Sequence, residues 1–389
     1  MAHGDKNAMP QPSQQKPPSG TASVTAERAV ATDIRLKGTC RALYCLDIAR
    51  GIDLQVAQES LTASRRTVFH HKSRAPESAG LSPPLRMSWP AGAQQIGRLA
   101  TAPEVEISLY DLGALCITWI VAIEGPPEEL VELSAQLYDH ADLIARSREL
   151  AQEITSTLTA ALDRPALSRH IEDYNVFEVE PVQSGPAALL ADSRGSLARI
   201  LRAENGELSD QEIDDALANP VSYGREDVCL VDWLAAFLMG SDMEDERHVL
   251  ELATVELLEL RILDADLEKQ IEEAYDLFAR RRTRIAALAV RRHELEHVAR
   301  VQADDALLHE GIDNALKVFG DDYLARLYRT AAERFHFDDY DRAIQRKLGV
   351  LRSVYQSLSE LASHHRSEIL EWIIIVLIAI DIIVYFTPH

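Results

Sequence analysis

The chain has 389 residues and a 47% hydrophobic composition, enough for two or three packed domains, which excludes a wholly disordered protein. Its 62 acidic residues against 40 basic ones give a formal charge of −22, which excludes nucleic-acid binding or adhesion to anionic lipid by the chain as a whole. Four cysteines, Cys40, Cys45, Cys116 and Cys229, form no C-x-x-C pair and are expected as buried thiols in a reducing setting.

The opening stretch, rich in Pro, Gln and Ser and without an apolar run, predicts a disordered leader over residues 1–34 rather than a signal peptide. An α+β head domain is expected over 35–240. Thr39 to Leu46 is its first predicted strand, and Leu54 to Leu61 a short helix. Pro76, Pro83, Pro84 and Pro90 mark residues from about 70 to 102 as an extended connection with little regular structure. The clearest β pattern runs from Glu104 to Glu124, where Val105, Ile107 and Leu109 alternate with Glu104, Glu106 and Ser108. Asp111-Leu112-Gly113 then allows a turn or bulge, giving either two paired strands or one bent strand.

Pro126 and Pro127, followed by Glu128 and Glu129, predict a helix start, with the helix continuing in pieces towards Asp163. Ile171 to Val182 reads as a strand. Ala187 to Ala203 and Ser209 to Ala218 read as short helices, the second with Ser209 as N-cap. Cys229 to Leu238 can be laid over Ser108 to Ile117, with an Asp and an Ala matching, which suggests a duplicated strand and helix unit. An amphipathic helix from Val228 to Met239 fits the same run.

After Met243 proline disappears until the chain end, and Leu, Ala, Glu and Arg dominate. A long-helical stalk is expected over 241–368, arranged as antiparallel, coiled-coil-like helices with an apolar stripe through Leu260, Leu263, Leu267, Ile271, Ala274 and Phe278. Breaks are predicted near Gly311, Gly320 and Phe335 to Asp338. Residues 369–386 hold ten aliphatic side chains between Ile373 and Val384 and read as one C-terminal transmembrane helix, rising roughly 27 Å. Trp372 and Tyr385 are its expected interfacial anchors, and Asp381 is an acid within it. The bulk of the chain would then face the cytoplasm.

His293-Glu294-Leu295-Glu296-His297 matches H-E-x-x-H, the zinc hydrolase pattern, but the neighbouring Arg291, Arg292 and Arg300 oppose a divalent cation and favour a solvated helix face. Arg280, Arg281, Arg282 and Arg284 form the one concentrated basic run in an acidic chain. They either bind a partner, a protein or the phosphates of RNA, or pair with the acids between Asp264 and Glu273. Phosphate-loop, dinucleotide and serine-hydrolase patterns are missing, so no catalytic residue, cofactor or metal is assigned.

The ending Leu370-Glu371-Trp372-Ile373-Ile374-Ile375-Val376-Leu377-Ile378-Ala379-Ile380-Asp381-Ile382, preceded by Arg346-Lys347-Leu348, resembles the "required for meiotic nuclear division" family, also called the YagE-type domain of unknown function. Tyr110-Asp111-Leu112-Gly113-Ala114 resembles that family's Y-D-F-G-A-like strand, whereas Asp381 stands where the family tends to have Glu. The resemblance implies a bacterial-like, non-enzymatic membrane scaffold that supports translation, with a ribosome-associated partner. A membrane-tethered zinc hydrolase and a soluble helical homo-oligomer are the alternatives.

Overall fold

A computed structural model describes residues 34–63, 68–69, 83–280 and 322–386. The first strand, β1 (Leu36–Asp47), sits at the centre of an eight-stranded sheet. Its run Ala42-Leu43-Tyr44-Cys45-Leu46 is buried on both faces, as a central strand covered on two sides requires. On one side β1 pairs antiparallel with β8 (Ala114–Gly125), which turns back through β7 (Glu104–Leu109), β4 (Leu85–Pro90) and the two-residue β3 (Val68–Phe69). On the other side it pairs antiparallel with β10 (Glu172–Val179). Beyond β10 lies β12 (Ala235–Met239), in the sheet's single parallel pairing, and then β11 (Val228–Val231). Short two-stranded ladders join β2 (Ala49–Ile52) to β9 (Leu162–Pro165) and β5 (Gln95–Ile96) to β6 (Leu99–Ala100).

Because side chains alternate along a strand, β1 sends Cys40, Ala42, Tyr44 and Leu46 to one core and Leu43 and Cys45 to another. The first core packs against α1 (Leu54–Ala63), α2 (Pro127–Leu137), α3 (Ala141–Thr157), α4 (Gly185–Asp192), α5 (Arg194–Leu201) and α6 (Asp210–Ala216). Pro127 opens α2, and the Ser209 hydroxyl accepts from the Glu212 amide at the start of α6. Two of the polar groups this layer buries pair across its elements: Trp119 Nε1 donates to Ser147 Oγ at 2.9 Å, and the Ser134 hydroxyl to the Ile200 carbonyl at 2.6 Å. The second core packs against α7 (Glu244–Arg280), α8 (Asp322–Arg334) and α9 (Phe337–Phe386).

Several expectations change. Residues 85–90 are a strand, because Leu85, Met87 and Trp89 point inward against β7 while prolines confine the segment to the outer part of the sheet. Residues 228–239 form a β hairpin rather than a helix, since nearly every residue in β11 and β12 is buried and no helical face is left for solvent. This hairpin and α7 after it follow the same order of strand, strand and helix as β7, β8 and α2. The predicted helix over 187–203 is split at Ser193 into α4 and α5.

The second arm of the expected antiparallel hairpin lies in residues 281–321, outside the described residues, and the long helices that are described run parallel. Arg261 on α7 meets Tyr340 on α9, and Asp264 and Glu268 meet Lys347, so α7 and α9 run the same way. An apolar stripe fixes a seam but not the direction of the helix across it. The predicted break at Phe335 to Asp338 is a two-residue turn, with His336 at φ +57°, after which α9 continues unbroken for 50 residues. The breaks predicted near Gly311 and Gly320 lie outside the described residues.

The transmembrane expectation, with its single-pass, tail-anchored topology, is corrected. Among the described residues no helix is long and apolar enough to cross a membrane. The apolar part of α9 with described side chains covers 371–380, about 15 Å of helix, half the hydrocarbon thickness. Trp372 and the aliphatic side chains from Ile373 to Ile378 are about half exposed or more around the whole helix. The side chains of Asp381 and Tyr385 lie outside the described ones.

Candidate functional site

Among the described helices the N-terminal half of α7 is the most enclosed, with every residue from 249 to 258 buried between the sheet and α8 and α9. Three of these residues are polar: Glu251, Thr254 and Glu256. Burying an ion without a partner is prohibitive, so each acid must meet a donor. Glu251 accepts from Arg86 of β4 at 2.9 Å and from the Tyr110 hydroxyl at 2.6 Å, while Arg86 also donates to Ser108 Oγ at 2.7 Å. Burial raises the Glu251 carboxyl, but the Arg86 guanidinium, His248 and the two hydrogen bonds override it and hold the group down at about 2. Glu256 is closed by the Tyr328 hydroxyl of α8, and Thr254 bonds back to the Leu250 carbonyl at 2.8 Å.

Charge pairs continue along both flanks of the helix. Arg247 donates to Glu178 of β10 at 3.1 Å, and Arg41 of β1 lies between Glu178 and Glu106 at 3.4 and 2.7 Å. Further along, Arg261 donates to Glu172 at 2.7 Å and to the Tyr340 hydroxyl at 3.1 Å, with its guanidinium 5.5 Å from the centre of the Trp233 ring. Burial pushes the Glu172 carboxyl up to about 7 despite Arg261. Asp232, in the turn between β11 and β12, accepts from Arg202 at 2.9 Å and lies 3.6 Å from Arg334, tying α5 and α8 to the same edge.

One stretch of this interface brings acids together. Asp47, at the end of β1, is pushed up to about 6 by burial and then by Asp266 of α7. Glu259 is pushed up to about 8 by burial and then by Asp47, and its Oε1 is sealed from solvent with no hydrogen-bond partner among the described residues. In the same core the thiols of Cys45 and Cys116 lie 2.9 Å apart, and Glu251 bears electrostatically on both. All four cysteines are buried, as the sequence led one to expect.

The sequence-derived candidates fall elsewhere. Arg280 closes α7, but its side chain, together with Arg281, Arg282 and Arg284, lies outside the described residues, as do His293, Glu294 and His297. Two of the acids offered as intramolecular partners for that arginine run, Asp264 and Glu268, are held by Lys347 at 2.9 and 3.2 Å. Among the described residues no group of three or more His, Cys, Asp or Glu could hold a metal. Sequence reasoning missed the Glu251 centre. Its signal was available: Val249-Leu250-Glu251-Leu252-Ala253-Thr254-Val255-Glu256-Leu257-Leu258 is apolar around the whole helix, so its two acids had to be buried and paired.

This arrangement joins elements rather than lining an opening: β4, β10, α8 and α9 each contribute one or more groups that grip α7. Residues 37–246 match the family described as uncharacterized protein MJ0711, N-terminal domain, a match that ends at the third residue of α7. Uncharacterized protein MJ0711 of Methanocaldococcus jannaschii is similar at 22% identity over 280 residues, covering 67% of this chain and 84% of that protein. No solved structure matches. The family match covers more than half of the chain, and the chain belongs to the family of proteins that carry this MJ0711 N-terminal domain.

Proposed function

We propose that the protein is a non-enzymatic interaction scaffold in which the sheet domain holds α7 as a rigid arm. The observation that carries this reading is the change in burial along α7. It is enclosed on all sides from 249 to 258, whereas beyond Leu267 only Ala274 among the residues to 276 is fully buried and Glu268, Lys269, Glu272, Glu273, Tyr275 and Asp276 are exposed. A helix gripped at its root by paired charges and exposed beyond it presents whatever its end carries, and this one leads into Arg280, Arg281, Arg282 and Arg284. Planar guanidinium groups in a run suit carboxylates or phosphates on a partner.

The resemblance to the meiotic nuclear division family supports a scaffold that assists translation, with a ribosome-associated protein as the partner class. The test is quantitative co-purification with the full chain and with an Arg281→Glu, Arg282→Glu, Arg284→Glu variant. Partners retained by the first and lost by the second, at unchanged melting temperature, are expected. Equal retention would sink the reading, and loss of retention on ribonuclease treatment would make RNA the bridging partner.

A further inference from the structure

Cys45 and Cys116 are direct partners in the antiparallel register of β1 and β8. Their Sγ atoms, 2.9 Å apart, lie inside the contact distance of two unbonded sulfurs, yet both cysteines are free. Opposed residues on antiparallel strands stand about 4.5–5.5 Å apart at Cα, within the range of about 4.4–6.8 Å that a disulfide accepts. The strands therefore already hold the geometry of a cross-link. Neither remaining cysteine competes for it: Cys40 faces the opposite core, and Cys229 on β11 is three strand spacings from β1, about 14 Å.

Access is the second part of the argument. Both thiols are fully buried in the core that α7 covers, and Glu251 of α7 is close enough to bear electrostatically on each. Burial also raises both thiols above their ordinary range, so little thiolate forms while α7 is seated. Reaction requires the helix to lift.

We propose that Cys45 and Cys116 form a cross-strand redox site that closes to a disulfide with a low-molecular-weight disulfide as oxidant, and that the seating of α7 gates it. One thiol loses its proton and attacks the small disulfide, giving a mixed disulfide and releasing one small thiolate. The second thiol loses its proton, and its sulfur attacks the protein sulfur of that mixed disulfide. The Cys45–Cys116 bond forms and a second small thiolate leaves. The two protons end on the two released thiols, and the two electrons reduce the oxidant.

The experiment incubates the full chain with hydroxyethyl disulfide, counts thiols after denaturation and maps linked peptides. Free thiols are expected to fall from four to two, with Cys45 joined to Cys116. Cys45→Ala and Cys116→Ala variants should each give no internal link. Closure should run about a hundredfold faster in Glu251→Gln, whose weakened grip raises the population with α7 lifted. Four unreacted thiols, or a link through Cys40 or Cys229, would overturn the site. A link that forms at the same rate in Glu251→Gln would overturn the gate.

Discussion

Replacing Glu251 by Gln isolates the charge of the one acid, among the described residues, that is both fully enclosed and strongly stabilised as an anion. The carboxyl is held at about 2 against an ordinary value of 4.5, a difference that corresponds to about 3 kcal/mol at roughly 1.4 kcal/mol per pH unit. Breaking a buried ion pair by removing one partner costs about 3–5 kcal/mol, because the other charge is left uncompensated. Here that charge would be Arg86, enclosed with Glu251 and Ser108 as its partners. The two magnitudes agree, and about 3 kcal/mol is the expected loss at pH 7.

The pH dependence is the sharper test. Because the folded value lies below the unfolded one, the folded state releases this proton more readily. The stabilisation is full above about pH 4.5 and is lost as pH falls towards 2. Urea titrations followed by tryptophan fluorescence, on both proteins between pH 7 and pH 2.5, measure the difference directly, and the gap should shrink steadily below pH 4.5. A loss under 1 kcal/mol at pH 7, or a gap that does not change with pH, would refute the claim that this anion anchors α7.

Glu259 carries the opposite sign. Its folded value of about 8 lies above the ordinary 4.5, so its contribution is present below pH 4.5 and is lost as pH rises towards 8. Glu259→Gln should therefore leave stability unchanged near pH 4 and raise it by up to about 5 kcal/mol at pH 9, read from the same urea titrations. An equal effect at both pH values would exclude burial of the charge as the cause. Gly113→Ala should destabilise by about 3 kcal/mol or more, since Gly113 sits at φ +113° and an added Cβ would fall 1.8 Å from the Ala49 carbonyl oxygen. Thermal melting monitored by circular dichroism checks this, and a shift under about 2 °C would show that the turn can relax.

The parts of the fold that were legible in the sequence are those where one periodicity dominates. Val105, Ile107 and Leu109 alternate with polar residues and lie in β7, and the stripe of Leu260, Leu267 and Ala274 is buried along α7. The β11–β12 hairpin was ambiguous because a strand buried on both faces has no alternation to read. β4 was hidden by its flanking prolines, although Leu85, Met87 and Trp89 carried the alternation. The terminal run of isoleucines suggested a spanning helix from length and hydropathy. These properties describe the run itself and not the part of α9 whose surroundings are described. The Glu251 centre draws Arg86 from 165 residues away and Tyr110 from 141, and no local pattern encodes a pairing at that separation.

The central position of β1 has a consequence for how the protein is made. β1 leaves the ribosome before either of its neighbours is complete, since β8 ends at Gly125 and β10 at Val179. At about 5–20 residues per second, the apolar run through Cys45 waits on the order of ten seconds for its first partner strand, and longer for α7 to cover it. During that interval it is an unpaired strand of high β propensity that can meet another nascent copy. Slow emergence of residues 48–125 should therefore favour misassembly more than slow emergence of any later segment.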